Sequence, residues 1–155
     1  MPVPPVGANS ESQYVVSAAD TAHAWGNANV HVLATPRLLQ WIEQTTGLLW
    51  SGHRDPEQEA LLGTEFCFKH LGPALVGATV TIRATITEVD RRRVHYQFEA
   101  FDQAGPICEG WSENFLMPMD RHLQRLEQRW QALSSAANFP DAAASARLSG
   151  AKQAG

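Results

Sequence analysis

The stretch from Leu33 to Trp50 constrains the fold most, because it is a long run with helical hydrophobic spacing set among strand-like segments. Thr35 and Pro36 mark its start. The hydroxyl suits a cap that accepts a bond from a free first-turn amide, and the proline suits the first helical position, where no donor is needed. At about 100° per residue, Leu38, Ile42, Thr45 and Leu49 fall on one stripe, while Arg37, Gln40 and Gln44 lie opposite. Gly52 and Pro56 stop the helix, which is expected from Pro36 to about Trp50. Glu43 sits at the edge of the stripe beside Leu39, where a carboxylate is expected to be partly desolvated. Taken alone, a boundary glutamate is more often a solvated flank than a functional group.

After this helix the period changes from helical to two. From Gly63 to Leu71, Thr64, Phe66, Phe68 and His70 alternate with Glu65, Cys67 and Lys69. From Gly77 to Val89, Val80, Ile82, Ala84 and Ile86 alternate with threonines and Arg83, the pattern of a strand with one buried face. Asp90-Arg91-Arg92 is a tight turn into a strand carrying Val94, Tyr96, Phe98 and Ala100. Asp102 to Pro106 is a second turn before a last strand from Ile107 to Met117. A first strand is expected at Ser12–Ser17, ahead of the helix. Asp120 can cap a C-terminal helix, 120–133, with Leu123, Leu126, Trp130 and Leu133 at helical spacing. The Pro- and Gly-rich residues 1–11 read as a flexible leader and the Ala-, Ser- and Gly-rich residues 134–155 as a flexible tail, leaving 12–133 as a single domain. Segregated helix and strands define the α+β class, with a curved antiparallel sheet wrapped around the one helix able to fill it.

Several function classes lose support on composition. A net charge of -4 gives no electrostatic basis for general nucleic-acid or acidic-membrane binding. No apolar run approaches the ~20 residues of a membrane span, and Met1 to Ser10 lacks the basic and apolar regions of a signal peptide, so a cytoplasmic location is the expectation. The two cysteines, Cys67 and Cys108, read as buried free thiols within strands. There is no glycine-rich phosphate loop, paired CxxC, HExxH or GxSxG, and no metal is expected.

What remains is a hydroxyl at Thr35, a carboxylate at Glu43, an imidazole at His70 and backbone donors around Gly63 and Thr64. A carboxylate can attack a carbonyl or take a proton from water, an imidazole can move that proton near neutral pH, and amides can hold an oxyanion. These are the parts of an acyl-transfer hydrolase. Each also has a plainer reading: Thr35 as a helix cap, His70 as a core histidine, Gly63 as a strand start. The remaining histidines read as structural or exposed. Arg91 to Arg93 form a basic hairpin tip, most often a solvated face, though one near the site could meet the phosphates of a ligand.

The run Val32-Leu33-Ala34-Thr35-Pro36, with Glu43 eight residues after Thr35, and the run Phe68 to Gly77 following Gly63-Thr64 resemble the fluoroacetyl-CoA thioesterase-like branch of the hotdog-fold proteins. The resemblance covers about Tyr14 to Leu116. It implies Thr35, Glu43 and His70 as the catalytic set and Gly63, with Thr64, as substrate-binding. It also implies a homodimer with two acyl-CoA sites at the subunit interface, and coenzyme A entering only as part of the substrate, with no separate cofactor. Gly110-Trp111-Ser112-Glu113-Asn114 departs from the Gly-Thr-His-Glu-Arg type pattern common in that family's last strand. The C-terminal helix looks like an addition. Thr35 and Glu43 are about 12 Å apart along an ideal helix, so they do not touch through it. The expected activity is hydrolysis of a small acyl-CoA thioester. The alternatives are a non-catalytic acyl-CoA binding module and an enoyl-CoA hydratase-type enzyme, which would want an aspartate-histidine pair instead.

Overall fold

A computed structural model describes residues 3–136. Its elements are β1 (Asn9–Val15), a 3-10 turn (Ala18–Asp20), α1 (Thr35–Leu48), β2 (Glu59–His70), β3 (Thr79–Asp90), β4 (Arg93–Asp102), β5 (Gly105–Pro118) and α2 (Met119–Ser134). Contacts divide the chain into two compact units, Met1–Met117 and Pro118–Gly155.

In the first unit the strands form one sheet in the order β1-β3-β4-β5-β2. β1 pairs antiparallel with β3, from Asn9 opposite Thr85 to Val15 opposite Thr79. β3 meets β4 through a two-residue hairpin that pairs Asp90 with Arg93, and Arg91 adopts a positive φ of 55° there. β4 and β5 close similarly, with Asp102 opposite Gly105. The Asp102 carboxylate takes the Ala104 and Gly105 amides, so the turn is built by its first residue. β2 lies at the far edge beside β5, joined near its end by the Leu71 amide donating to the Ile107 carbonyl at 2.7 Å.

Every apolar residue of the alternating runs in β3 and β4 faces one core. Val80, Ile82, Ala84 and Ile86 of β3 and Val94, Tyr96, Phe98 and Ala100 of β4 are all buried. Against them lies the α1 stripe: Leu38, Ile42, Thr45 and Leu49 are buried, together with Trp41, Thr46 and Trp50. Full burial of an aliphatic side chain such as Leu38 or Ile42 contributes about 2–3 kcal/mol, which is why this helix can hold the sheet's face. One aromatic contact anchors the helix and another the turn just beyond its end. Trp41 stacks on Tyr14 of β1 with ring centroids 4.7 Å apart, and Trp50 Nε1 donates to the Tyr96 hydroxyl at 2.6 Å. Burial pushes that tyrosine up to about 12.

Three expectations need correction. β1 begins at Asn9, inside the stretch read as a leader, because Ser10 donates to the Thr45 carbonyl at 2.7 Å and Gly7 to the Ile86 carbonyl at 2.8 Å. Cys67 is exposed, whereas Cys108 is buried as expected; strand periodicity does not show which strand lies at an edge. Asp120 does not cap α2, since Pro118 is the N-cap residue and Asp120 lies in the first turn.

In the second unit α2 carries Leu123 and Leu126 on its surface, and none of its residues is buried. The expected tail beyond Ala136 lies outside the described residues. Among the described residues no helix is long and apolar enough to cross a membrane.

Candidate active site

Thr35 is the first residue of α1 and not its cap. Ala34 occupies the N-cap position, extended at φ -67° and ψ 136°, and no side chain caps the helix. Pro36, one residue further in, needs no hydrogen-bonding partner, so the first turn tolerates the missing cap. The consequence is chemical: the Thr35 hydroxyl is free of a capping bond and lies 3.2 Å from His70 Nδ1 at the end of β2. The direction of that hydrogen bond is set by the imidazole tautomer. Both residues are exposed. His70 also neighbours Phe68, with ring centroids 6.4 Å apart, in keeping with its place on the phenylalanine-bearing strand.

Glu43 lies two turns further along α1 and faces a different part of β2. Its Oε1 is 3.5 Å from the position a Cβ would take on Gly63, and Asn114 Oδ1 of β5 is 3.9 Å from the same point. Glu43, Gly63 and Asn114 thus converge. Sequence reasoning left Asn114 without a role, because its neighbourhood depends on how β5 sits beside β2. Glu43 is exposed, not partly desolvated as expected from its position on the stripe. Among the described residues its carboxylate has neither a hydrogen bond nor an ion-pair partner.

Thr64 is occupied differently. Its hydroxyl donates to the Glu113 carboxylate, with the Glu113 carbonyl 3.2 Å away. Glu113 is buried and also receives Arg93 Nη1, while His95 Nε2 lies 3.2 Å from its other oxygen. The Thr64 hydrogen bond and the charges of Arg93 and His95 hold the Glu113 carboxyl below the usual carboxylate range, against the opposing effect of burial. This network ties β2, β4 and β5 together next to Gly63 and Asn114. Residue spacing does not reveal it, because Thr64, Arg93, His95 and Glu113 come from three strands. It also occupies Arg93, and Arg92 Nη1 donates to the Leu116 carbonyl, so two of the three hairpin-tip arginines have partners within the fold.

The candidate groups therefore form two stations: Thr35 with His70, and Glu43 with Gly63 and Asn114. Thr35 and Glu43 are about 12 Å apart along the helix axis. A separate shallow cavity of about 640 Å³ opens elsewhere on the sheet, lined in part by Cys67, Lys69, Arg83, Glu99, Glu109 and Trp111. None of the five candidate residues lines it, and of its two cations, Lys69 and Arg83, the arginine is paired with Glu11 and Glu99.

The sheet order, its antiparallel pairing and the helix across its apolar face define an α+β protein of the hotdog type. The sequence matches the family of fluoroacetyl-CoA-specific thioesterases (FlK) over residues 16–120, and the chain belongs to that family. No curated protein matches it. Among solved structures it is similar to a hot-dog-like protein from Thermanaerovibrio acidaminovorans, with a TM-score of 0.74 and 27% identity, covering 82% of this chain and 93% of that one. A thioesterase superfamily member from Thermus thermophilus gives a TM-score of 0.73 and 26% identity, with 85% and 99% covered. The fluoroacetyl-CoA thioesterase FlK shares the fold at a TM-score of 0.71, 24% identity, and 80% and 96% coverage.

Proposed function

We propose that the protein hydrolyses the thioester of a small acyl-CoA to the free acid and coenzyme A. The observation that carries this reading is the Thr35–His70 contact at 3.2 Å, with Glu43 on the same helix facing Gly63 and its carboxylate unpaired among the described residues, in a chain of a thioesterase family. Glu43 acts on the thioester carbonyl, by attacking it or by drawing a proton from water. His70 handles the proton, Thr35 positions the reacting group, and amides near Gly63 hold the oxyanion. Coenzyme A is part of the substrate, and the scheme uses no other cofactor or metal.

The two stations start about 12 Å apart along α1, whereas reacting atoms must approach to about 3–3.5 Å. We therefore take the working unit to be a homodimer in which Thr35 and His70 of one copy act with Glu43 of the other. Two features support a second copy. β2 is a twelve-residue edge strand whose residues Gly63 to Cys67 are all exposed, and a free edge of that length invites pairing. Leu71, Leu75 and Val76, which follow His70, are exposed apolar residues.

The test is release of free thiol from a panel of acyl-CoA thioesters, with Glu43→Ala assayed beside the wild-type protein. Loss of turnover by about 10²-fold or more with binding retained fits the reading. Binding of the esters without hydrolysis by the wild-type protein replaces it with a binding module, and unchanged turnover in Glu43→Ala removes the mechanism. The best substrate in the panel identifies the acyl group.

A further inference from the structure

Asp20 is a buried carboxylate that the proposed chemistry does not use. It ends the 3-10 turn and is only 5% exposed. Its Oδ2 accepts the Ser17 amide at 2.8 Å and the Ser17 hydroxyl at 2.6 Å. Its Oδ1 accepts Arg37 Nε at 2.7 Å, and its backbone carbonyl accepts the Ala34 amide at 2.8 Å. Ala34 precedes Thr35 and Arg37 follows two residues after it, so Asp20 grips α1 on both sides of the threonine.

The surrounding contacts make the grip rigid. Leu33 donates to the Ala74 carbonyl at 2.9 Å and forms a bridge with Thr21. The Arg37 guanidinium lies 5.6 Å from the centre of the Trp41 ring, which is itself stacked on Tyr14. Burial alone would push the Asp20 carboxyl up. The hydrogen bonds from Ser17 and Arg37, with the charge of Arg37, outweigh that and hold it below the usual carboxylate range, so the clamp stays charged. With no side chain capping α1, the Ala34 amide bond to the Asp20 carbonyl and the Arg37–Asp20 ion pair hold the turn that carries Thr35. A displacement of about 1 Å in a reacting group can cost on the order of 10²-fold in rate.

We infer that Asp20 is a positioning residue: its clamp on Ala34 and Arg37 holds the first turn of α1 so that the Thr35 hydroxyl faces His70. The inference rests on the thioesterase reading for its effect on rate, but not for its geometry. The test uses full-length Asp20→Asn, Arg37→Gln, Thr35→Ala and the Asp20→Asn/Thr35→Ala pair. Each is assayed for turnover of the best thioester and examined by NMR of the histidine ring nitrogens.

Asp20→Asn lowers kcat about 10- to 100-fold while KM stays within about threefold. It moves the His70 ring signals and leaves those of His95 in place. In the Thr35→Ala background it lowers kcat no further, because it acts only through Thr35. Additive loss in that background, or unchanged His70 signals in folded Asp20→Asn, overturns the inference. A wild-type protein without turnover defeats the thioesterase reading instead, and the His70 signals still decide the clamp. Should Asp20→Asn not fold, Arg37→Gln applies the same test from the more exposed side of the pair.

Discussion

Gly63 shows what a single missing side chain does at this site. A Cβ there would lie 3.5 Å from the Glu43 carboxylate, an ordinary contact distance, and the residue's φ is outside the left-handed region. Gly63→Ala is therefore expected to leave stability within about 0.5 kcal/mol of wild type, while its methyl group intrudes beside the carboxylate and lowers kcat/KM. Denaturant titration and steady-state kinetics on the same preparation check both halves. The two cysteines give a second residue-scale prediction. Burial pushes the Cys108 thiol up to about 11, whereas Cys67 is exposed. One thiol per chain should react with a chromogenic disulfide reagent in the native protein and two after unfolding; Cys67→Ser should abolish the native reaction. Thr35, Glu43, Gly63 and His70 were nameable in sequence because they lie in two short segments with set spacing. Asn114 and Asp20 were not, since each matters only through residues distant in sequence.

Gly110 decides how closely two elements can approach. A Cβ on this β5 residue would run into the Cys67 carbonyl oxygen of β2 and come within 2.7 Å of Phe68 Cα, both backbone atoms that cannot swing aside. Gly110→Ala is expected to cost about 2 kcal/mol or more, read as a lowered denaturation midpoint, in contrast to Gly63→Ala. The same pair of strands is tied by the Thr64–Glu113 bond. Because the folded-state value of Glu113 is depressed, its contribution to stability is present above the ordinary carboxylate value of 4.5 and is lost as pH falls through the folded value. Glu113→Gln should thus be less stable than wild type at neutral pH, and its stability should fall less steeply below about pH 4.5. Denaturation at a series of pH values would show the two curves converging in acid. A residual slope is expected from Asp20, whose carboxyl is also held low.

At the scale of the whole molecule, a shared active site makes a prediction that a self-contained one does not. Thr35→Ala and Glu43→Ala are each expected to keep only a small residual turnover alone, on the order of a hundredth of wild type. Mixed and allowed to exchange subunits, they form heterodimers in which one site combines the intact Thr35 of one copy with the intact Glu43 of the other. Recovery of about a quarter of wild-type activity is then expected for random two-fold pairing. Thioester hydrolysis measured over time after mixing checks this, and no recovery despite proven exchange means that each chain carries its own complete site.

The alternation of apolar residues in β3 and β4, the stripe on α1 and the residues of both hairpin turns were legible in the sequence, because strand, helix and turn preferences depend on neighbours a few positions away. The same local signals suggested that Thr35 caps α1, that Glu43 is partly desolvated and that Cys67 is buried. Tertiary structure decided otherwise. Thr35 meets His70 because β2 brings its far end to the start of the helix, and Cys67 is exposed because β2 lies at the sheet's edge. Periodicity specifies which side of an element is apolar; which groups meet across elements is set by strand order and by the packing of α1, and these involve residues tens of positions apart.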